Sequence, residues 1–190
     1  MKKIIKLFLV IIFSLCLFGC KNERDKSLDI LDFVTSNGTK IEFEYKDFEE
    51  YSLKIPKILE IMDDETKAIK YPSTRAPQMV YTNEESSINL ALQNQDDNMT
   101  NEQIPKFTRT MQKTFESMGE VKSVDFFVRD GHKIGEIKFI SQAVDTKIFN
   151  HMIFFSVDKK LEIVSFNCVV DYQEEWEIVS DLIINSIKFK

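Results

Sequence analysis

The sequence predicts an α+β domain: an antiparallel β-sheet covered by helices on both faces, an α/β/α sandwich. Three observations carry this. Four alternating apolar runs, 121–129, 133–143, 147–157 and 161–172, are separated only by short polar turns, which joins neighbours as a meander rather than through parallel crossovers. An apolar stripe at helical spacing precedes them and another follows. The third run is apolar on both sides, with Phe149, Ile153, Phe155 and Val157 on one face and Ile148, Met152 and Phe154 on the other. A strand apolar on both faces has material packed on both.

The elements follow in order. Residues 27–34 (SLDILDFV) predict a short helix with Leu28, Leu31 and Phe33 or Val34 inward. Ile41, Phe43 and Tyr45 alternate with Glu42 and Glu44, and Tyr51, Leu53 and Ile55 alternate with Ser52 and Lys54; both runs read as half-buried strands, the second stopped by Pro56. Asp63-Asp64-Glu65 reads as a loop, followed by extended runs at 68–71, 78–82 and 87–93, the last alternating through Ile88, Leu90 and Leu92. After the polar loop 94–101, Ile104, Phe107, Met111, Phe115 and Met118 recur at three- and four-residue spacing. The helix they predict starts near Ile104 with Pro105 in its first turn, and Gly119 is placed to cap its end. Asp130-Gly131 is a hairpin signal after the first long strand. At the C-terminal end Asp171 and Glu174 suggest a capping box, and Trp176, Val179, Ile183 and Ile187 form an inner stripe.

The N-terminus reads as an address. Lys2, Lys3 and Lys6 precede the apolar run 7–18, and Gly19-Cys20 closes it. This is the layout of a secretory signal, too short to span a bilayer uncleaved. Leu17-Phe18-Gly19-Cys20 resembles the bacterial lipobox, with Phe18 bulkier than usual. The expected organisation is a lipoprotein signal peptide at 1–19, a lipidated Cys20 with a tether at 20–39, and one domain at 40–190. Each buried methylene contributes about 0.8 kcal/mol, so one acyl chain binds marginally and two or three hold firmly.

Three of the 25 basic residues leave with the signal, so 22 face 31 acidic ones, a net charge of −9. That balance disfavours nucleic acid and anionic lipid heads. Cys16 leaves too, Cys20 is taken by acylation, and Cys168 remains alone in an apolar strand, as a small buried hydrophobe. No disulfide framework is available.

Tyr51-Ser52-Leu53-Lys54-Ile55-Pro56, then Tyr71-Pro72-Ser73 with Pro77, Asn89, Ile134-Gly135, and Trp176 with Ser186-Ile187 stand in an order that resembles the PsbP-like superfamily. These α/β/α sandwiches include photosystem lumen proteins, small-GTPase-binding proteins and bacterial envelope lipoproteins. The resemblance covers residues 43–189. It implies the fold and a role in binding, assembly or chaperoning, and it brings no catalytic set, since function does not follow from fold.

Chemical motifs are sparse. No glycine-rich phosphate loop and no His-Glu-x-x-His or Cys-x-x-Cys spacing occurs, so neither metal nor cofactor is expected. Asp63-Asp64-Glu65 and Asp96-Asp97 lack the alternation of a calcium loop and read as solvated turns. Asn37-Gly38-Thr39 and Asn98-Met99-Thr100 match a glycosylation pattern that a bacterial lipoprotein does not use. His132 reads as an exposed turn residue. His151 shares the face of Phe149, Ile153 and Phe155, where an imidazole needs a partner, either a hydrogen bond under a helix or a ligand in a pocket; it is the weak candidate for ligand binding. The expectation is a non-enzymatic binding or adaptor domain, lipid-anchored to the cell membrane or outer membrane on the extracytoplasmic side and acting on an envelope protein. The alternative is a carrier of a small apolar or lipid ligand between sheet and helix. A small hydrolase is the third reading.

Overall fold

The computed structural model describes residues 32–36 and 38–190; the signal, Cys20, the first part (27–31) of the helix expected at 27–34, and Asn37 lie outside them. The chain is α+β, with two antiparallel sheets and three helices. In chain order it runs β1 (Asp32–Val34), β2 (Lys40–Asp47), β3 (Tyr51–Pro56), β4 (Glu60–Ile61), α1 (Asp64–Lys70), β5 (Met79–Thr82), β6 (Ile88–Gln95) and α2 (Ile104–Glu116). Then come β7 (Gly119–Arg129), β8 (His132–Gln142), β9 (Lys147–Val157), β10 (Lys160–Val169), α3 (Gln173–Asn185) and β11 (Lys188–Phe189).

The long meander β7–β10 forms as expected and is the body of a seven-stranded sheet ordered β4-β5-β6-β10-β9-β8-β7. Its turns follow local chemistry. Asp130 and Gly131 lie at φ 50 and 86, and Asp158 and Lys159 at φ 48 and 63, the left-handed pairs that match the twist of a two-residue hairpin. β6 turns Ile88, Leu90 and Leu92 into the core and pairs with β10, so the strand before α2 is joined to the last strand of the meander.

The second sheet departs from the single sheet expected. β2 and β3 pair with each other, and β1 and β11 complete the order β1-β2-β3-β11. Asp32–Val34 is a strand rather than the end of a helix. The turn after it, with Gly38 at φ 86 and Thr35 Oγ1 donating to the Thr39 carbonyl, folds it back on Lys40–Glu42. At the other end the last helix stops at Asn185, and Lys188–Phe189 pairs with Ser52 and Tyr51. The Ser186 hydroxyl makes the join: it accepts from the Lys54 N–H at 2.8 Å and donates to the Ile183 carbonyl at 2.6 Å.

Three further expectations are corrected. Residues 64–70 are helical, because Asp63 caps the segment by accepting from the Thr66 N–H at 2.8 Å, with Asp64 and Glu65 at its positive end and Lys67 and Lys70 at its negative end. Gly119 opens β7 instead of capping α2, and a Cβ there would lie 2.0 Å from the Ile140 carbonyl oxygen. Asp171 sits in a 3₁₀ turn before α3 and is not its cap. Helix α2 itself starts at Ile104 with Pro105 in its first turn, behind a 3₁₀ turn where the Thr100 N–H donates to Gln103 Oε1 at 2.7 Å.

The core is divided. Phe149, Ile153, Phe155 and Val157 of β9 join Leu53 and Ile55 of β3 and Trp176, Val179 and Ile183 of α3 in one cluster. Phe154 of the same strand joins Ile104 and Phe115 of α2, with Ile137 and Phe139, in another. Among the described residues no helix is long and apolar enough to cross a membrane.

Candidate functional site

Polar groups interrupt the face of the large sheet that carries β9's Phe149, Ile153 and Phe155, and two clusters of them stand out among the described residues. The first lies under α3. In β8 the alternation that buries Ile134 next places Glu136 and Lys138 on the same side, and in β9 it places His151 between Phe149 and Ile153. Helix α3 answers with Glu177, Ser180 and Asp181, three and four residues apart and therefore on one helical face. His151 is fully buried; its Nε2 lies 2.6 Å from Glu136 Oε1 and its Nδ1 2.8 Å from Ser180 Oγ. The Ser180 hydroxyl donates its proton to the Glu177 carbonyl at 2.7 Å, which leaves its Oγ to accept from the His151 Nδ1–H.

At the rim Lys138 Nζ stands 2.8 Å from Asp181 and 3.2 Å from Glu177. Burial acts to lower the Lys138 pKa, but the bonds to Asp181 and Glu177 outweigh it and raise it. For Glu177 burial acts upward, while bonds from Gln173 and Lys138 bring it below the usual carboxylate range. The expected histidine at 151 thus takes the hydrogen-bonded form, under a helix.

Serine, histidine and a carboxylate in line invite a comparison with a nucleophile and its base. The arrangement does not offer one: Ser180 is fully buried and its proton is directed to a helix carbonyl, whereas a nucleophile must be reachable and surrender that proton to the base. Glu136, His151 and Asp181 also bring ligand atoms within 4.8 Å of one another. Yet both ring nitrogens are already engaged, Nε2 by Glu136 at 2.6 Å and Nδ1 by Ser180 at 2.8 Å, and Asp181 stands 3.7 Å from Nδ1. The Lys138 ammonium on Asp181 further opposes a cation.

The second cluster escaped the sequence reading. Glu162 of β10 stands directly opposite Asn94 of β6, on the side that carries Val164, Phe166 and Leu92. It is 8% exposed, and Asn94 Nδ2 donates to its Oε1. The pair floors a groove of about 200 Å³ between the β2–β3 turn and the β9–β10 turn. Burial pushes the Glu162 pKa up to about 7 against a weaker downward pull from Asn94. The signal was present: a carboxylate at an apolar position of an alternating strand.

A pH dependence follows. The folded-state pKa lies above the ordinary value of 4.5, so the stability tied to this group is complete below the unfolded pKa and lost as pH rises through about 7. One carboxyl oxygen still faces the groove, which discounts the effect to about 2 kcal/mol between about pH 5 and pH 8. Glu162→Gln is expected to abolish that part of the slope and to exceed the parent in stability at the alkaline end. Urea denaturation across this range checks it; parallel slopes in the two proteins would refute it.

Other sequence candidates are placed as follows. His132 is half-buried, not exposed; it stacks on Phe189 at 4.0 Å, and its Nδ1 lies 3.0 Å from the Ser156 carbonyl. Cys168 is fully buried, and burial pushes its thiol up to about 12, the expected inert hydrophobe. Asp96 and Asp97 are exposed, Asp96 within 3.9 Å of Lys160, and Asp63 is spent on its cap.

No protein-family model matches the chain, and no curated protein matches it. Solved structures do. The solution structure of cyanobacterial PsbP from Synechocystis sp. PCC 6803 is similar at a TM-score of 0.55 and 11% identity, over 86% of this chain and 96% of that one. A Pseudomonas aeruginosa protein of unknown function is similar at 0.47 and 9% identity, over 78% and 97%. The large meander, the second sheet and the residues that tie them together give this chain the PsbP-like fold.

Proposed function

We propose that the protein is a lipid-anchored, non-enzymatic binding domain of the bacterial envelope, held on the extracytoplasmic side of the cell membrane or outer membrane and acting on an envelope protein. The observation that carries the reading is the basic start, short apolar run and Leu17-Phe18-Gly19-Cys20 that open the chain. The buried, committed Ser180 and His151 support a role without catalysis. Two separate clusters, one under α3 and one under α2, support a layered α/β/α arrangement in which helices lie on either side of the large sheet. A small-ligand reading moves from His151, whose surroundings are filled by Ser180 and Glu136, to the groove at Glu162.

Cys20→Ser is expected to release the protein from the membrane fraction, while the parent pellets, enters detergent and carries the added mass of acyl chains. Equal pelleting of the two, or an unmodified full-length mass, would refute the anchor. Cross-linking in native cells is expected to capture one defined envelope protein; a repeated blank would refute the adaptor role.

A further inference from the structure

The groove at Glu162 has a composition that selects its occupant. Phe48, Tyr51, Met79, Leu92 and Val157 supply apolar walls, and Glu162 lies at the base. One carboxyl oxygen is engaged by Asn94, and the other has no hydrogen-bond partner among the described residues. Glu49, Glu50 and Asp158 stand at the mouth against Lys160. An anion meets net repulsion there. A bare divalent cation wants six or more oxygen ligands, which apolar walls do not supply. A volume of about 200 Å³ is below that of drug-sized sites and suits one side chain.

We propose that this groove is a binding site for a cationic head on a short apolar stem, the guanidinium or ammonium side chain of a protein partner, with Glu162 as its counter-ion. The stem lies against Met79, Leu92 and Val157, and the head reaches the open carboxyl oxygen. The choice of a protein partner rests on the adaptor reading above; the cation site itself does not. Burial that holds Glu162 partly protonated near neutrality makes occupancy sensitive to pH. The groups facing it are Asn94, Tyr51, Glu49, Glu50, Asp158 and Lys160. With a pKa of about 7, the ionised fraction rises roughly tenfold from about pH 6 to about pH 8, and affinity for a cation rises with it.

The test uses the acylated protein extracted in mild detergent and titrated by NMR with agmatine, with its neutral counterpart 1-butanol, and with short capped peptides carrying either Arg or citrulline. Agmatine and the Arg peptide are expected to shift the amides of Leu92, Asn94, Val157 and Glu162 at least tenfold more tightly than their neutral counterparts, and more tightly at the higher pH. Glu162→Gln is expected to erase that preference, and Met79→Trp, which fills the groove without altering charge, to block both ligands. Agmatine binding with the Arg peptide excluded would overturn the side-chain occupant in favour of a small amine. No preference for charge, or a preference that survives Glu162→Gln, would overturn the site. A cross-linked partner captured equally by parent and Glu162→Gln overturns the groove's role and leaves the adaptor reading standing; agmatine binding with no partner captured does the reverse.

Discussion

Replacing His151 by alanine is expected to destabilise the protein by about 3–5 kcal/mol, the cost of breaking a buried ionisable pair. The imidazole is the middle of a chain in which Glu136 Oε1, His151 and Ser180 Oγ are bonded at 2.6 and 2.8 Å, all at 2% exposure or less. Alanine takes from Glu136 its 2.6 Å contact with the imidazole and leaves a void between β9 and α3. Equilibrium urea denaturation measures the loss, and a cost under about 1 kcal/mol would show that the chain contributes little. A combined His151→Leu, Glu136→Leu, Ser180→Ala replacement is expected to recover most of the stability, because the three bonded side chains are removed together instead of one being stripped from the other two. Lys138, Asp181 and Glu177 remain to fasten α3 at the rim. The same triple variant should keep the agmatine response, since the groove at Glu162 is lined by none of these residues.

The parts of this fold that sequence made legible are those fixed by neighbours in the chain. Alternation and two-residue turns suffice for β7–β10, and a five-residue apolar stripe suffices for α2, because both signals act over one or two turns of backbone. The second sheet was hidden because its completion is remote: Lys188 finds Ser52 across nearly the whole chain, and a two-residue strand has no periodicity to read. Helix α1 was missed although its cap was in view, since Asp63 followed by Asp64 and Glu65, with Lys67 and Lys70 beyond, is a start signal as well as an acidic turn. The candidate site was half legible. His151 stood out as a polar residue on an apolar face, and the same test applied to Glu136 and Glu162 would have marked both. What the alternation could not supply is that α3 brings Ser180 to His151 and that the β2–β3 turn overhangs Glu162, for these are contacts between elements and depend on packing.

Gly135→Ala is expected to cost about 3 kcal/mol, the upper part of the range for overpacking. The need for glycine here is spatial. Gly135 is not among the residues at positive φ, yet a Cβ on it would fall 1.9 Å from Thr108 Oγ1 and 2.7 Å from Thr108 Cβ. Thr108 is fully buried in the middle of α2, and its hydroxyl is tied to the Ile104 carbonyl at 2.9 Å, so it has no free rotation with which to yield. The added methyl must therefore lift the helix from β8, loosening the contacts of Ile104 and Phe115 with Ile137, Phe139 and Phe154. A double-mutant cycle with Thr108→Gly separates this from a propensity effect. The second change alone costs about 0.3 kcal/mol in helix propensity, since threonine is already a poor helix former, plus whatever packing it removes. In the pair it opens the space the new methyl needs, so the two are expected to couple by about 1–2 kcal/mol. Strict additivity would mean that Gly135 is not where α2 seats. Hydrogen exchange gives a second readout: in Gly135→Ala the amides of α2 should open well before those of α3, whose cluster lies on other residues of the sheet.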